Sequence, residues 1–189
     1  MKLYTSILSL LIGLNCWCTE PISVQIVPAS SANLTGNWVE YGRAFYVVLT
    51  NTSDKTYAVW GGDNSWSEGN ISFDLIDSTG CKFHIARKVI PRDSNYPVPF
   101  SIGPNRHHVI EVILDDSWDG FPKGIASQAM RMRAVLEIKK NQLPVDASTG
   151  KIDSVEHIWI GKKESEFIQT HLEFPVGTRS REKLKKSQK

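Results

Sequence analysis

Long hydrophobic runs are missing from this chain of 189 residues, and cysteine is nearly so. A membrane-spanning helix needs roughly 20 consecutive apolar residues. The most apolar stretch, Ile7 to Leu14, is short and is interrupted by Ser9 and Gly13, so a polytopic membrane protein is excluded. Only three cysteines occur, two of them at Cys16 and Cys18, which leaves no disulfide framework of the small secreted kind. The 13 glycines and 9 prolines follow no repeat, which excludes a collagen-like chain, and no helical period is sustained, which excludes a coiled coil. Gly-x-Ser-x-Gly, His-Glu-x-x-His and a glycine-rich phosphate loop are all absent, so no catalytic motif announces a reaction. What is present is ordinary globular composition, 41% apolar and 22% charged. At this length a single domain can bury a core without metal or disulfide staples.

The first 18 residues, MKLYTSILSLLIGLNCWC, place one cation, Lys2, before the apolar run. The polar segment Thr19, Glu20, Pro21 follows. This is the layout of a secretory signal peptide over residues 1–18. Cys16 and Cys18 supply the small residues at −3 and −1 for a cut before Thr19. Lipid attachment at Cys16 or Cys18 is the alternative, although Gly13-Leu14-Asn15 and Asn15-Cys16-Trp17 are both poor lipoboxes. After such a cut Cys81 is the one remaining thiol, and the alternating stretch Gly80-Cys81-Lys82-Phe83-His84-Ile85 reads it as a buried strand residue acting as a small hydrophobe.

Charge is unevenly spread. Residues 178–189 hold six cations against Glu182. That segment carries +5 of the formal +2, so the rest of the chain is about −3. Residues 175–189 therefore read as a basic, disordered tail, either a solubilising terminus or a contact for an anionic partner. No aromatic interleaves its charges, and nucleic acid is not the expected partner.

Between these ends the chain alternates with the period of a strand. Ile22, Val24 and Ile26 share one face. Phe45 to Thr50 is apolar on both faces and reads as a central strand. Tyr57 to Trp60, Ile71 to Leu75 and Cys81 to Ile85 follow, the last two joined by the hairpin turn Asp77-Ser78-Thr79-Gly80. A proline-rich loop from Pro91 to Pro104 precedes Val109 to Leu114. Met130 to Ile138, Ile158 to Ile160 and Ile168 to Phe174 close a domain over residues 19–174. The expected fold is all-β, an antiparallel immunoglobulin-like β-sandwich of about seven to nine strands.

From Phe45 to Phe174 an ordered set of short motifs carries a resemblance. It runs through Leu49-Thr50-Asn51-Thr52-Ser53-Asp54-Lys55, Trp60, Asn64-Ser65-Trp66, Ile71-Ser72-Phe73, Ala86-Arg87-Lys88, Trp118 with Pro122, Arg133-Ala134 and Trp159-Ile160-Gly161-Lys162. On these the chain resembles uncharacterised secreted bacterial proteins with an immunoglobulin-like sandwich. The resemblance implies a fold and a compartment, secreted or periplasmic, and no activity. A looser likeness to the intracellular proteinase inhibitor sandwich family rests on the Asn51-Thr-x-Asp-Lys strand end and the Asp77-x-x-Gly80 hairpin. The leader segment departs from that family's cytoplasmic setting.

Trp66 and Trp118 lie in polar stretches, Asn64-Ser65-Trp66-Ser67-Glu68 and Asp116-Ser117-Trp118-Asp119. An aromatic face rimmed by Asn64 or Asp116 suits a sugar or peptide platform, so these four are the expected ligand-binding residues. Asp115, Ser117 and Asp119 followed by Gly120 imitate the front of a calcium loop, but the twelfth position is Ala126 and no helices flank it. No cofactor is expected. The pair His107-His108 points to opposite faces of a strand, and His84, His157 and His171 have no ligand spacing. Asn33, Asn51 and Asn70 head glycosylation triplets, informative only in a eukaryotic secretory route. The expected function is a secreted, non-catalytic binding or interaction module for an extracellular or cell-surface protein or glycan, touching membrane only if lipid-anchored. The alternatives are a small hydrolase assembled from carboxylates such as Asp63, Asp74, Asp115 and Asp119, or an inhibitor using the Pro91–Pro104 loop.

Overall fold

A computed structural model describes residues 20–28, 37–61, 67, 69–88, 98–122, 127–140 and 157–173. The leader, the basic tail, Asn64, Trp66, Asp63 and residues 91–97 of the proline-rich loop lie outside the described residues. Those described are all-β. Twelve strands run in the order β1 (Ile22–Val27), β2 (Trp38–Glu40), β3 (Ala44–Asn51), β4 (Tyr57–Gly61), β5 (Ile71–Asp77) and β6 (Lys82–Arg87). They continue with β7 (Val98–Ile102), β8 (His107–Ile113), β9 (Trp118–Asp119), β10 (Ser127–Ile138), β11 (Gly161–Glu164) and β12 (Ile168–Glu173).

A three-stranded sheet has the order β1-β3-β8. A seven-stranded sheet has the order β2-β12-β10-β5-β6-β9, with β11 also pairing β10. β4 and β7 form a two-stranded ribbon. The alternating pattern decides which faces meet. Ile22, Val24 and Ile26 of β1 and Phe45, Val47 and Leu49 of β3 are buried, as are Phe73 and Leu75 of β5 and Met130, Met132 and Ala134 of β10. Phe45 meets Phe73 edge-on with ring centroids 5.4 Å apart, so the two larger sheets share one core, in the manner of a β-sandwich. The strand read as central, β3, lies between β1 and β8.

Local chemistry shapes the joints. The hairpin between β5 and β6 closes on Asp77, whose carboxylate accepts the Thr79 N–H at 2.8 Å, the Thr79 hydroxyl at 2.7 Å and the Cys81 N–H at 2.9 Å. Gly80 supplies the positive φ, +88°, that this turn requires. Gly120 is needed for a different reason: a Cβ there would stand 1.8 Å from the His84 carbonyl oxygen, so only glycine lets this backbone approach β6. At the end of β3, Asn51 is completely buried. Its amide donates to the carbonyls of Lys55 (2.6 Å) and Ile102 (2.8 Å) and its oxygen accepts the Ser53 N–H at 3.0 Å. This glycosylation triplet is thus spent on closing a turn, and Asn70, at the head of another, is also buried.

Several expectations need correction. The sheet is not antiparallel throughout, because β2 pairs β12 in parallel. Short strands β2, β7, β9 and β11 add to those legible from alternation. β7 occupies part of the expected proline-rich loop and pairs with β4, Trp60 opposite Pro99. Ile158 makes only an isolated bridge to Ala58. Cys81 is exposed rather than buried. The β5–β6 ladder begins at Ile76 opposite Lys82, so Cys81 still belongs to the turn and has no facing layer to enter.

Candidate functional site

The two long sides of the sandwich differ. On one, β1 packs against β10 and β11, and Lys163 pairs with Glu20 at 3.0 Å. On the other, β8 stands opposite the edge formed by β6 and β9, and a cleft opens between them. Its cavity holds about 260 Å³. Leu49, Trp60, Ile110, Val112, Trp118 and Leu136 supply its apolar walls. Arg87, His108 and Asn70 supply its polar groups, and Glu111 borders it from the edge of β8, its side chain by alternation on the outer face. A second, polar recess of about 290 Å³ adjoins it. The two share Arg87, Glu111, Val112 and Trp118, and the recess adds Asp115 and Ser117.

Trp118 is the hinge of this arrangement. It is 7% exposed, its ring lies 5.6 Å from that of Phe73, and its indole N–H donates to the Ile113 carbonyl at 2.9 Å. This corrects the expectation of a solvent-facing loop platform. β9 pairs Trp118 with Arg87, which turns the ring between the layers, where burying a large aromatic surface outweighs leaving it in a polar loop. Asp116, its expected companion, is exposed and accepts the Tyr41 hydroxyl. The Asp116 carbonyl accepts Lys88 Nζ at 2.7 Å. Asn64 and Trp66 cannot be placed relative to them, being outside the described residues.

The calcium-like residues are differently employed. Asp115 accepts the Ser117 N–H at 2.8 Å and the Ser117 hydroxyl. These bonds hold its carboxyl below the ordinary carboxylate range. Asp119 has entered β9 and pairs with Lys88 at 3.5 Å. Among the described residues no group of three His, Cys, Asp or Glu side chains stands where it could hold a metal.

His107 and His108 do point apart. His107 is exposed, whereas His108 is half-buried, lines the cleft and stacks on Phe100 with ring centroids 4.6 Å apart. Burial lowers its imidazole pKa from the ordinary 6.5, so at neutral pH it is an uncharged donor–acceptor. Asp74 lies on the opposite, outer face of the seven-stranded sheet, away from Asp115. There it accepts Arg133 through Nε at 2.9 Å and meets His84 Nδ1 at 2.8 Å. Burial alone would raise the Asp74 carboxyl, but the hydrogen bonds and charges of His84 and Arg133 outweigh it and hold it low. Arg133 also pairs with Glu164, and Arg131 and Arg133 lie over the Phe167 ring at 4.7 and 4.9 Å.

The cleft residues Trp60, Arg87, Glu111 and Leu136 carry no catalytic or ligand-binding motif, and the sequence alone does not mark them as a site. A usable signal existed in the continued parity of β8: Ile110 and Val112 face inward, Leu114 follows, and Trp118 resumes the same face after the turn. The chain matches no protein-family model, no curated protein and no solved structure.

Proposed function

We propose that the chain is a non-catalytic binding module built on an immunoglobulin-like sandwich, that it works outside the cytoplasm, and that it recognises its partner through the cleft beside β8. The observation that carries the reading is the composition of that cleft. Apolar walls that include two tryptophans, with a few polar groups at the mouth, are the usual make-up of a recognition site. The leader segment supports the compartment. Asp115 and Glu111 line one recess, which supports a hydrolase as the second reading. Asp115 is held ionised by Ser117 and so suits a base or nucleophile rather than a proton donor.

The test is to fill the cleft. Ile110→Trp places a larger ring on its wall, and circular dichroism and a thermal melt establish that the variant is folded. The full chain and the variant are then applied to immobilised peptide and glycan arrays. Ligands captured by the native chain and lost by the variant support the reading. Equal capture by both overturns it. Hydrolysis of chromogenic glycosides or esters that disappears in Glu111→Gln would establish the second reading instead.

A further inference from the structure

We infer that β8 is an acceptor edge for an extended peptide of a partner protein, one with apolar residues at alternate positions and a basic residue opposite Glu111. This rests on the cleft being the recognition site and names what enters it.

The first observation is an open backbone edge. β8 closes the order β1-β3-β8 and has a sheet neighbour only on its β3 side among the described residues, although β7 approaches its start, where Phe100 stacks on His108. The direction of its peptide groups follows from three bonds around it. Asn51, in β3, donates to the Arg106 carbonyl, and Gly42, just before β3, donates to that of Leu114. Even-numbered residues here therefore turn their backbone toward β3. Alternate residues of a strand turn the other way, so His107, Val109, Glu111 and Ile113 direct theirs outward. The Ile113 carbonyl is taken by Trp118. Proteins usually protect such an edge with lysine, proline or a bulge. β8, HHVIEVI, has neither lysine nor proline.

The second observation is that the cleft begins at this same edge. The inward residues of β8, His108, Ile110 and Val112, line it. A strand added beside β8 would share that pleat, and its alternate side chains would enter the cleft toward Trp118 and Leu136. Strand addition works in this way, with main-chain hydrogen bonds supplying affinity and pockets for alternate side chains supplying specificity.

Charge and exposure select the outward residues. On the outer face of β8, Val109 is 52% exposed and Glu111 is also exposed. Residues directly opposite one another on a sheet interact, and opposite charges stabilise. The complementary strand therefore carries an apolar residue facing Val109 and Lys or Arg facing Glu111.

The probes are synthetic peptides in which Val alternates with Thr and with Lys or Glu, measured by fluorescence anisotropy against the full chain. Lys-bearing peptides should bind more tightly than their Glu counterparts, and the difference should vanish in Glu111→Gln. N-methylation of alternate peptide nitrogens should weaken binding about tenfold in one register and little in the other, the size expected for losing one or two edge hydrogen bonds. Val109→Pro removes an outward N–H without touching the β3 ladder and should have a similar effect. If that variant does not fold, the N-methylated peptides on the native chain decide alone. No binding by any peptide, or equal loss in both N-methyl registers, overturns strand addition. Peptide binding lost in Ile110→Trp but indifferent to N-methylation and to Val109→Pro also overturns it, yet leaves the cleft as the site. Binding indifferent to Ile110→Trp removes the cleft reading itself.

Discussion

The two long edges of the sandwich answer the same physical problem in opposite ways. β1 carries its apolar residues against β10 and β11, leaving Ile22 completely buried and Val24 and Ile26 nearly so. β8 has the same alternation, but Ile110 is only partly buried and Val109 and Ile113 are exposed. Across from it, among the described residues, the seven-stranded sheet ends in the two-residue strand β9. Among the described residues one edge is covered and contributes stability, and the other leaves apolar surface and backbone groups uncovered. The outer faces differ in the same sense. Asp74, Arg133, Glu164 and His84 cross-link four strands of the seven-stranded sheet, whereas the three-stranded sheet exposes Val27, Tyr46, Val109 and Ile113 around Glu111.

The largest expected effect tests whether Trp118 belongs to the core or to the cleft mouth. Trp118→Ala should destabilise the chain by about 3–5 kcal/mol, as buried aromatic truncations do, measured by urea unfolding. A loss under about 1 kcal/mol, typical of surface changes, would return Trp118 to the surface.

The two edges should respond differently to truncation of an apolar residue. Ile22→Ala at the closed edge should cost about 2–5 kcal/mol. Ile110→Ala at the open edge should cost about 1 kcal/mol, because less of the side chain leaves water on folding. Equal losses would break the distinction between the two sides.

The charged outer face has a pH signature. The Asp74 carboxyl is held below 3.8, its ordinary value. A carboxylate lowered on folding adds stability above the unfolded pKa, and that stability is lost as pH falls through the folded value. Asp74→Asn should therefore be less stable than the native chain at neutral pH and converge with it under acid. Unfolding curves between neutrality and strong acid that run parallel would refute the network's contribution.

The smallest effect belongs to the ion pair at the closed edge. Lys163 and Glu20 keep side-chain exposures of 34% and 52%, so solvent screens their attraction. Lys163→Ala should cost well under about 1 kcal/mol, and less still in high salt. A larger loss in chemical denaturation would mean that the closed edge is held by charge rather than by its apolar residues.

What the sequence determined by itself was local. Alternation in Ile22 to Val27, Phe45 to Thr50, Ile71 to Leu75 and Met130 to Ile138 marks strands because a strand's side chains have period two. The Asp77–Gly80 hairpin was legible because one carboxylate and one glycine complete it within a few residues. The tertiary structure decided everything that depends on which strand lies beside which. The parallel β2–β12 pair joins segments more than a hundred residues apart, and no local pattern records it. Trp118 reads as polar-loop material among Asp116, Ser117 and Asp119, and becomes core only because β6 accepts it as a partner. Cys81 keeps the right parity for burial and is exposed because the ladder starts one residue later. The cleft arises in the same way. Its walls come from β3, β4, β5, β6, β8, β9 and β10, and their spacing is set by how the sheets pack, a long-range property that residue alternation cannot encode.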